Sequence, residues 1–370
     1  MGEAIEDVAK ATPLSVAQIE KGARLSPFFG WEMAESFGDS AEEQRAVRSS
    51  VGLLDLSFCG AIRIGGKEGA QFLQGLVTND VKALSKGKGV RAAFLTGKGK
   101  VIALCRILGL DGGEFLIITD PQTHDKVNKY IFPMSYAGDF KVEDVTDLHR
   151  LLSVQGPKSL LVMKEVCFDP VPHLAEHEWI STIIAGHHVS VTRASHTGEP
   201  GYDILAPTPA LKDIWDFVLL KGDFHSIAPV GQTALDALRI EAGIPVYGRD
   251  IDEGNMMLET GMADAVSFTK GCYTGQEAVA MATYRGHVSK RLSGLKISGE
   301  IPPSHDGRVT KEGKEIGVVT SALKSQVLGS VIALALLKYG YLDPGTSVEV
   351  ESEGISIPAT VVELPFIRGA

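Results

Sequence analysis

Hydrophobic and polar positions change period several times along the chain, and those changes mark its elements. Residues 1–30 read as a helical lead-in ending at the aromatic segment SPFFGWEM. SAEEQRAVRSSVGLLDLS follows, with Ser40 placed to cap a helix and Glu43 three residues on. AIRIGG alternates as a strand does, and KEGAQFLQGLVTNDV then sets Phe72, Leu73 and Leu76 at helical spacing. GVRAAFLTGKGKVIALCRILGL predicts two strands across a glycine–lysine turn, GEFLIITD a third, and DPQTHDKVNKYIF a helix opened by Asp and Pro. The stretch 61–140 is therefore an alternating αβ unit built on antiparallel hairpins.

From residue 151 the pattern restarts. LLSVQGPKSLLVMKEV reads as strand, turn and helix, and HHVSVTRASHTGEPGYDILAP as two strands around a polar turn. PVGQTALDALRIEAGIPVYG holds a helix with Leu235, Leu238 and Ala242 on one face, stopped by Gly243 and Pro245. After Lys290 short strands with glycine turns take over, as in a small barrel. The expected organisation is one unit over 1–290, with a ferredoxin-like αβ subdomain near 61–140, and a barrel over 291–370.

Composition narrows the function classes. A formal net charge of −10 argues against nonspecific binding to nucleic acid or an anionic membrane, while leaving room for a local basic pocket. Cys59, Cys105, Cys167 and Cys272 are widely separated and form no CxxC pair, so neither a zinc ribbon nor a disulfide framework is suggested. The acidic N-terminus lacks the apolar core of a signal peptide, and the apolar run VIALALL is too short to span a bilayer. A cytoplasmic location is the expectation.

Three segments carry candidate chemistry. In FTKGCYTGQE, Thr274 and Glu277 have capping-box spacing, which puts Cys272 just outside a helix N-terminus beside Lys270 and Arg285. Such a setting favours a thiolate; a free cysteine in an ordinary cap is the plain alternative. In TRASHTGEPGYDIL, Glu199 stands in a glycine-rich turn, where a fixed carboxylate suits a flat ligand with two adjacent N–H donors. It can equally be a solvated turn residue. Arg239 lies at the edge of an apolar helix stripe, able to reach into a cleft or to pair with Asp236. TGKGK lacks the rest of a phosphate-loop pattern and reads as a turn, and His173 and His177 have helical metal spacing but no accompanying motif, as a surface pair would.

Together these segments resemble the superfamily of the glycine-cleavage T-protein (aminomethyltransferase) and the folate-binding YgfZ proteins. FFGWEM, VRSSVGLLDLS, FLQGLVTNDV, TGEPGYD, LRIEAGIPVYGRDID and VVELPF are similar to the T-protein pattern, and KGCYTGQE resembles the YgfZ signature. The resemblance implies an α+β clover-leaf of three subdomains around a tetrahydrofolate channel, with a C-terminal β-barrel. It implies Glu199 on the pterin, Arg239 and Tyr202 in the folate pocket, and Cys272 as the functional thiol beside the channel, with no resident metal. Two departures stand out. T-proteins carry acids in G-x-I-x-D-D-L, where GKVIALC places Ala103 and Leu104; loss of a proton-handling carboxylate typically costs on the order of a hundredfold in rate. His196 stands where T-proteins carry tyrosine.

On this basis the expected function is support of iron–sulfur cluster assembly or repair, with folate and iron–sulfur client or assembly proteins as partners. The rival expectation is an aminomethyltransferase or another folate-dependent one-carbon transferase. A third is a folate-binding scaffold without turnover.

Overall fold

In the computed structural model, which describes residues 9–369, the described part of the lead-in mixes short strands, turns and one short helix. Only Ser15–Glu20 is helical. Arg24–Phe28 and Trp31–Ser36 form an antiparallel hairpin, joined by Lys10–Ala11 in a three-stranded sheet. The expected helix over 1–30 is corrected to this extent, and residues 1–8 lie outside the described residues. The reason is pairing: Phe28 faces Trp31 across the hairpin, both packed on one core, and Phe29 and Gly30 supply the left-handed backbone of the turn.

Helix Ser40–Ser49 is capped by Asp39, not Ser40; the Asp39 carboxylate accepts from the Ala41 N–H at 2.9 Å. Glu43 does not turn back to the cap. It accepts from the Phe37 N–H (2.6 Å) and the Gly231 N–H (2.8 Å), tying this helix to a distant one.

The 61–140 region folds as the alternation predicts. Its five-stranded antiparallel sheet has the order Gly89–Leu95, Val101–Gly109, Phe115–Thr119, Gly60–Gly65, Lys141–Asp144. Helices Gly69–Leu76 and Pro121–Ile131 cover one face, packing Leu73, Val127 and Ile131 on Ile62, Phe94, Ile107 and Ile117. Because side chains alternate along a strand, Leu104, Arg106 and Ile118 are turned to the opposite face.

A six-stranded sheet adjoins it, in the order Trp179–Ile184, His187–Arg193, Gly201–Pro207, His149–Gln155, Val51–Asp55, Ile227–Val230; its last pair is parallel. Helix Leu211–Gly222 buries Trp215 against Leu53, Leu152 and Ile204 of this sheet. Residues 290–362 close into a six-stranded barrel filled by Leu295, Ile316, Val331 and Val350. Ile332, Leu334 and Leu336 of the barrel pack outward on Ile240 of helix Gln232–Glu241. The expected α+β fold with a C-terminal barrel is the observed one. No helix among the described residues is long and apolar enough to cross a membrane.

Candidate active site

The free face of the five-stranded sheet, the polar turn after Arg193, helix Gln232–Glu241 and the segment 244–246 enclose a cavity of about 170 Å³. Its walls are largely apolar: Phe28, Leu56, Phe58, Leu104, Ile118, Leu235 and Val246. Phe28 and Phe58 meet edge to face at 5.8 Å. Concave, mostly apolar spaces with a few placed polar groups are the usual form of a small-molecule site.

The polar groups come from three directions. Arg106 projects from the sheet and pairs with Asp203 of strand Gly201–Pro207; His196 Nε2 lies 3.0 Å from the same carboxylate. Burial alone would raise the Asp203 pKa, but the Arg106 guanidinium and His196 outweigh it and hold this carboxyl well below the usual range. Asp203 therefore stays ionised and fixes Arg106 and His196, which line the cavity. His177, on a loop at φ 66°, also lines the cavity. Burial, reinforced by Arg91 and Arg106, pushes its pKa down to about 3, so the ring is neutral at pH 7. Its Nδ1 is buried without a hydrogen-bond partner. Asp120, at the end of strand Phe115–Thr119, lines the cavity too, and burial holds its carboxyl above the ordinary value despite Arg106, His196 and Arg91. Two wall thiols, Cys59 and Cys105, are pushed up by burial and stay protonated.

The residues singled out from sequence fall in different places. Arg239 lines the cavity, but its guanidinium is engaged by Asp236 (2.7 Å), by Asp250, by the Ile244 carbonyl (3.3 Å) and by Ser321 Oγ (2.9 Å). The Asp236 pair is present, and the rest of the guanidinium turns toward Asp250 and toward Ser321 of the barrel. Glu199 is not among the cavity side chains. It is 4% exposed and pairs with Arg48 at 2.7 Å, while Arg48 also holds Glu241 at 2.8 Å. Tyr202 points to the opposite side of its strand, in the core with Leu152 and Ile204, under the Arg193 guanidinium. Strand alternation explains the difference: with Tyr202 turned inward, Asp203 faces the cavity side.

Cys272 also lies apart from this cavity. It is exposed, in the segment before helix Gln276–Arg285. The capping box is corrected: Gly275, left-handed at φ 83°, occupies the cap position without a side-chain bond, and the Thr274 hydroxyl donates to the Gly75 carbonyl at 3.3 Å. A Cβ on Gly275 would lie 2.7 Å from the Thr96 carbonyl, so close packing on the 96–100 turn selects glycine there. Lys270 does not face the sulfur. Its ammonium is bound by the carbonyls of Gln74, Val77 and Asn79 at 2.7–2.8 Å. TGKGK is a hairpin turn closed by Thr96 and Lys100, and His173 and His177 share no helix.

Comparison with known proteins gives the family. Residues 14–270 match the GCVT N-terminal domain, and residues 290–367 match the glycine cleavage T-protein C-terminal barrel domain. The chain belongs to the glycine cleavage T-protein family. An aminomethyltransferase of Halothermothrix orenii is 32% identical over 97% of this chain and 100% of its own length. One of Bacillus subtilis is 31% identical over 97% of this chain and 99% of its own. The crystal structure of glycine cleavage system aminomethyltransferase T from Bartonella henselae shares the fold, with a TM-score of 0.89 over 97% of this chain and 98% of that one at 24% identity.

For this T-protein family member, iron–sulfur cluster support is overturned as the expected function. Relatives matched along nearly the whole length are named aminomethyltransferase. Cys272, the thiol on which that expectation leaned, is off the cavity. Tetrahydrofolate, the cofactor of the family's aminomethyltransferases, remains the expected ligand. The cavity suits it, since an unpaired ring nitrogen on His177 and a carboxyl on Asp120 stand between apolar and aromatic walls.

Proposed function

We propose that this protein is a tetrahydrofolate-dependent one-carbon transferase of the aminomethyltransferase type, holding the pterin end of its cofactor in the central cavity. The observation that carries the reading is the buried His177 Nδ1, a cavity atom without a partner, set with a few other polar groups among apolar and aromatic walls. A buried polar atom is costly when unpaired, and a flat heterocycle rich in N–H and ring nitrogens would satisfy it while its faces contact Phe28 and Phe58.

Bound folate supplies a nucleophilic amine that accepts one carbon. The protein's part is to bind, orient and handle protons. Asp203 anchors Arg106 and His196, which in turn present positive charge and a ring nitrogen to the cavity. Arg239 joins the cavity wall to the barrel through Asp250, which also accepts from Thr320 and Ser321 at 2.7 Å each. Leu104, in place of a family acid, makes that wall apolar, so any proton relay must come from elsewhere in the lining.

The test is calorimetry with tetrahydrofolate, followed by turnover with an aminomethyl-lipoyl carrier. Single-site binding, weakened about tenfold or more by His177→Leu, is expected, since that change leaves a ligand polar group unpaired. Folate-dependent release of ammonia from the carrier supports aminomethyl transfer; binding without release points to a different one-carbon donor. Absence of binding refutes the assignment.

A further inference from the structure

Asp120 stands at a helix start but does not act as a cap. Its backbone carbonyl accepts from the Thr123 and His124 N–H groups, as a cap residue's does, and Pro121 follows at the first helical position. An aspartate there ordinarily accepts a backbone N–H with its side chain, which is worth about 1 kcal/mol. This one makes no such bond. Its carboxyl has no hydrogen bond or ion pair with any described residue and is directed into the cavity lining.

The sheet register gives the position. Arg106 faces Ile118 and Cys105 faces Thr119, so one further step sets Asp120 beside Leu104, on the face shared with Arg106 and Ile118. The groups around it are Arg106 on the neighbouring strand, Arg91 on the next, His196 on the polar turn, Asp203 on the six-stranded sheet, His177 on its loop, and the wall thiols Cys59 and Cys105. Asp203 is committed to Arg106 and His196. Asp120 is the carboxyl in this group left uncommitted.

We infer that Asp120 is the proton carrier of the transfer step, acting from the strand opposite Leu104. The inference rests on the transferase reading above. As the new carbon–nitrogen bond forms, the acceptor amine loses its proton to the Asp120 carboxylate. The donor's bond to that carbon breaks with its electron pair on the leaving atom, which then receives the proton from Asp120. The carboxylate is regenerated, and no electrons are gained or lost overall. Burial raises the Asp120 pKa from its ordinary value, against the opposing pull of Arg106, His196 and Arg91.

The experiment compares unaltered protein with Asp120→Asn, Asp120→Glu and the double change Leu104→Asp with Asp120→Asn. Tetrahydrofolate binding is measured in buffers of different ionisation enthalpy, which counts protons exchanged on binding, and turnover is measured against pH. Asp120→Asn is expected to bind tetrahydrofolate, to lose the buffer-dependent part of the binding heat, and to lower kcat by about a hundredfold or more. Asp120→Glu is expected to keep the buffer-dependent heat. The double change returns a carboxylate to the same face and is expected to recover part of the rate. Unchanged turnover and unchanged proton exchange in Asp120→Asn overturn this role while leaving the transferase reading intact. If the unaltered protein binds no folate, the transferase reading falls, and this role with it.

Discussion

Removing Arg48 tests whether Glu199 serves the architecture. Arg48 lies on helix Ser40–Ser49 and donates to Glu199 of the polar turn, to Glu241 of helix Gln232–Glu241 and to the Thr197 carbonyl at 3.0 Å. Ser325 of the barrel donates to the other Glu241 oxygen at 2.6 Å. One guanidinium therefore joins three parts of the chain. Arg48→Ala takes the Arg48 guanidinium away from two carboxylates, 4% and 0% exposed. Breaking one such buried pair costs about 3–5 kcal/mol. The second carboxylate does not double this, because Ser325 still serves it, so about 4 kcal/mol is expected. For a chain of this length that is a fall of about 5 °C in midpoint. Scanning calorimetry and urea titration measure it. The triple change Arg48→Met, Glu199→Gln and Glu241→Gln removes all three charges and should recover much of the loss. A midpoint unmoved by Arg48→Ala, or a triple variant no better than the single, refutes the reasoning. Glu199→Gln adds a functional arm: lost folate affinity at unchanged stability would make Glu199 a ligand contact.

Two further outcomes follow from the cavity and the cysteines. Iodoacetamide should label Cys272 in the folded protein and spare Cys59, Cys105 and Cys167, which are buried, with the Cys167 thiol pushed up to about 12; mass spectrometry of the peptides reads this directly. Asp203→Asn should destabilise the protein by a constant amount at neutral pH. Because the folded pKa is depressed, that contribution is complete above the unfolded value of ~3.9 and is lost as pH falls toward the folded pKa. The part of the wild-type–variant stability gap that comes from the Asp203 carboxylate should therefore shrink below about pH 4, and a gap undiminished at the lowest pH where both proteins stay folded contradicts the assignment.

Period and turn chemistry made much of the fold legible. The hairpin across 96–100, the helix after Asp120 and the barrel beyond 290 follow from alternation, an Asp–Pro start and glycine-punctuated strands. The lead-in was not legible, because Phe28 and Trp31 suit either period until they pair across a turn. In the site, residue type was a better guide than position. Glu199 drew notice as the fixed carboxylate of the polar turn, but it pairs with Arg48 away from the cavity, while Asp203 of the following strand holds Arg106 and His196. Asp120 read only as a helix start, since nothing in a sequence shows that a cap residue has turned its side chain away. His177 was obscured by its spacing from His173, which imitates a helix where the chain forms an irregular loop with φ 66°. Cys272 attracted notice by its neighbours, yet Lys270 and Gly275 are explained by packing against the 74–79 and 96–100 turns.

Gly201 shows how backbone packing and the site are coupled. It stands directly across from Gln155 in the six-stranded sheet, and the Gln155 amide folds over it into the space a Cβ would need. That amide is fully buried and satisfied: its nitrogen donates to Ser153 Oγ and to the Ala194 carbonyl, both at 2.8 Å, and its oxygen accepts from the His196 N–H at 3.0 Å and Thr197 Oγ1 at 3.2 Å. Three of those partners lie in the turn that aims His196 at Asp203. Gly201→Ala must push the amide away, so overpacking and broken hydrogen bonds combine to about 3 kcal/mol, and the turn loosens at its functional end. Tetrahydrofolate affinity should fall along with stability. In a Gln155→Ala background the space is already vacated, so the same substitution should add little to either loss. Equal penalties for Gly201→Ala in the two backgrounds would mean that Gln155 does not couple this strand to the cavity.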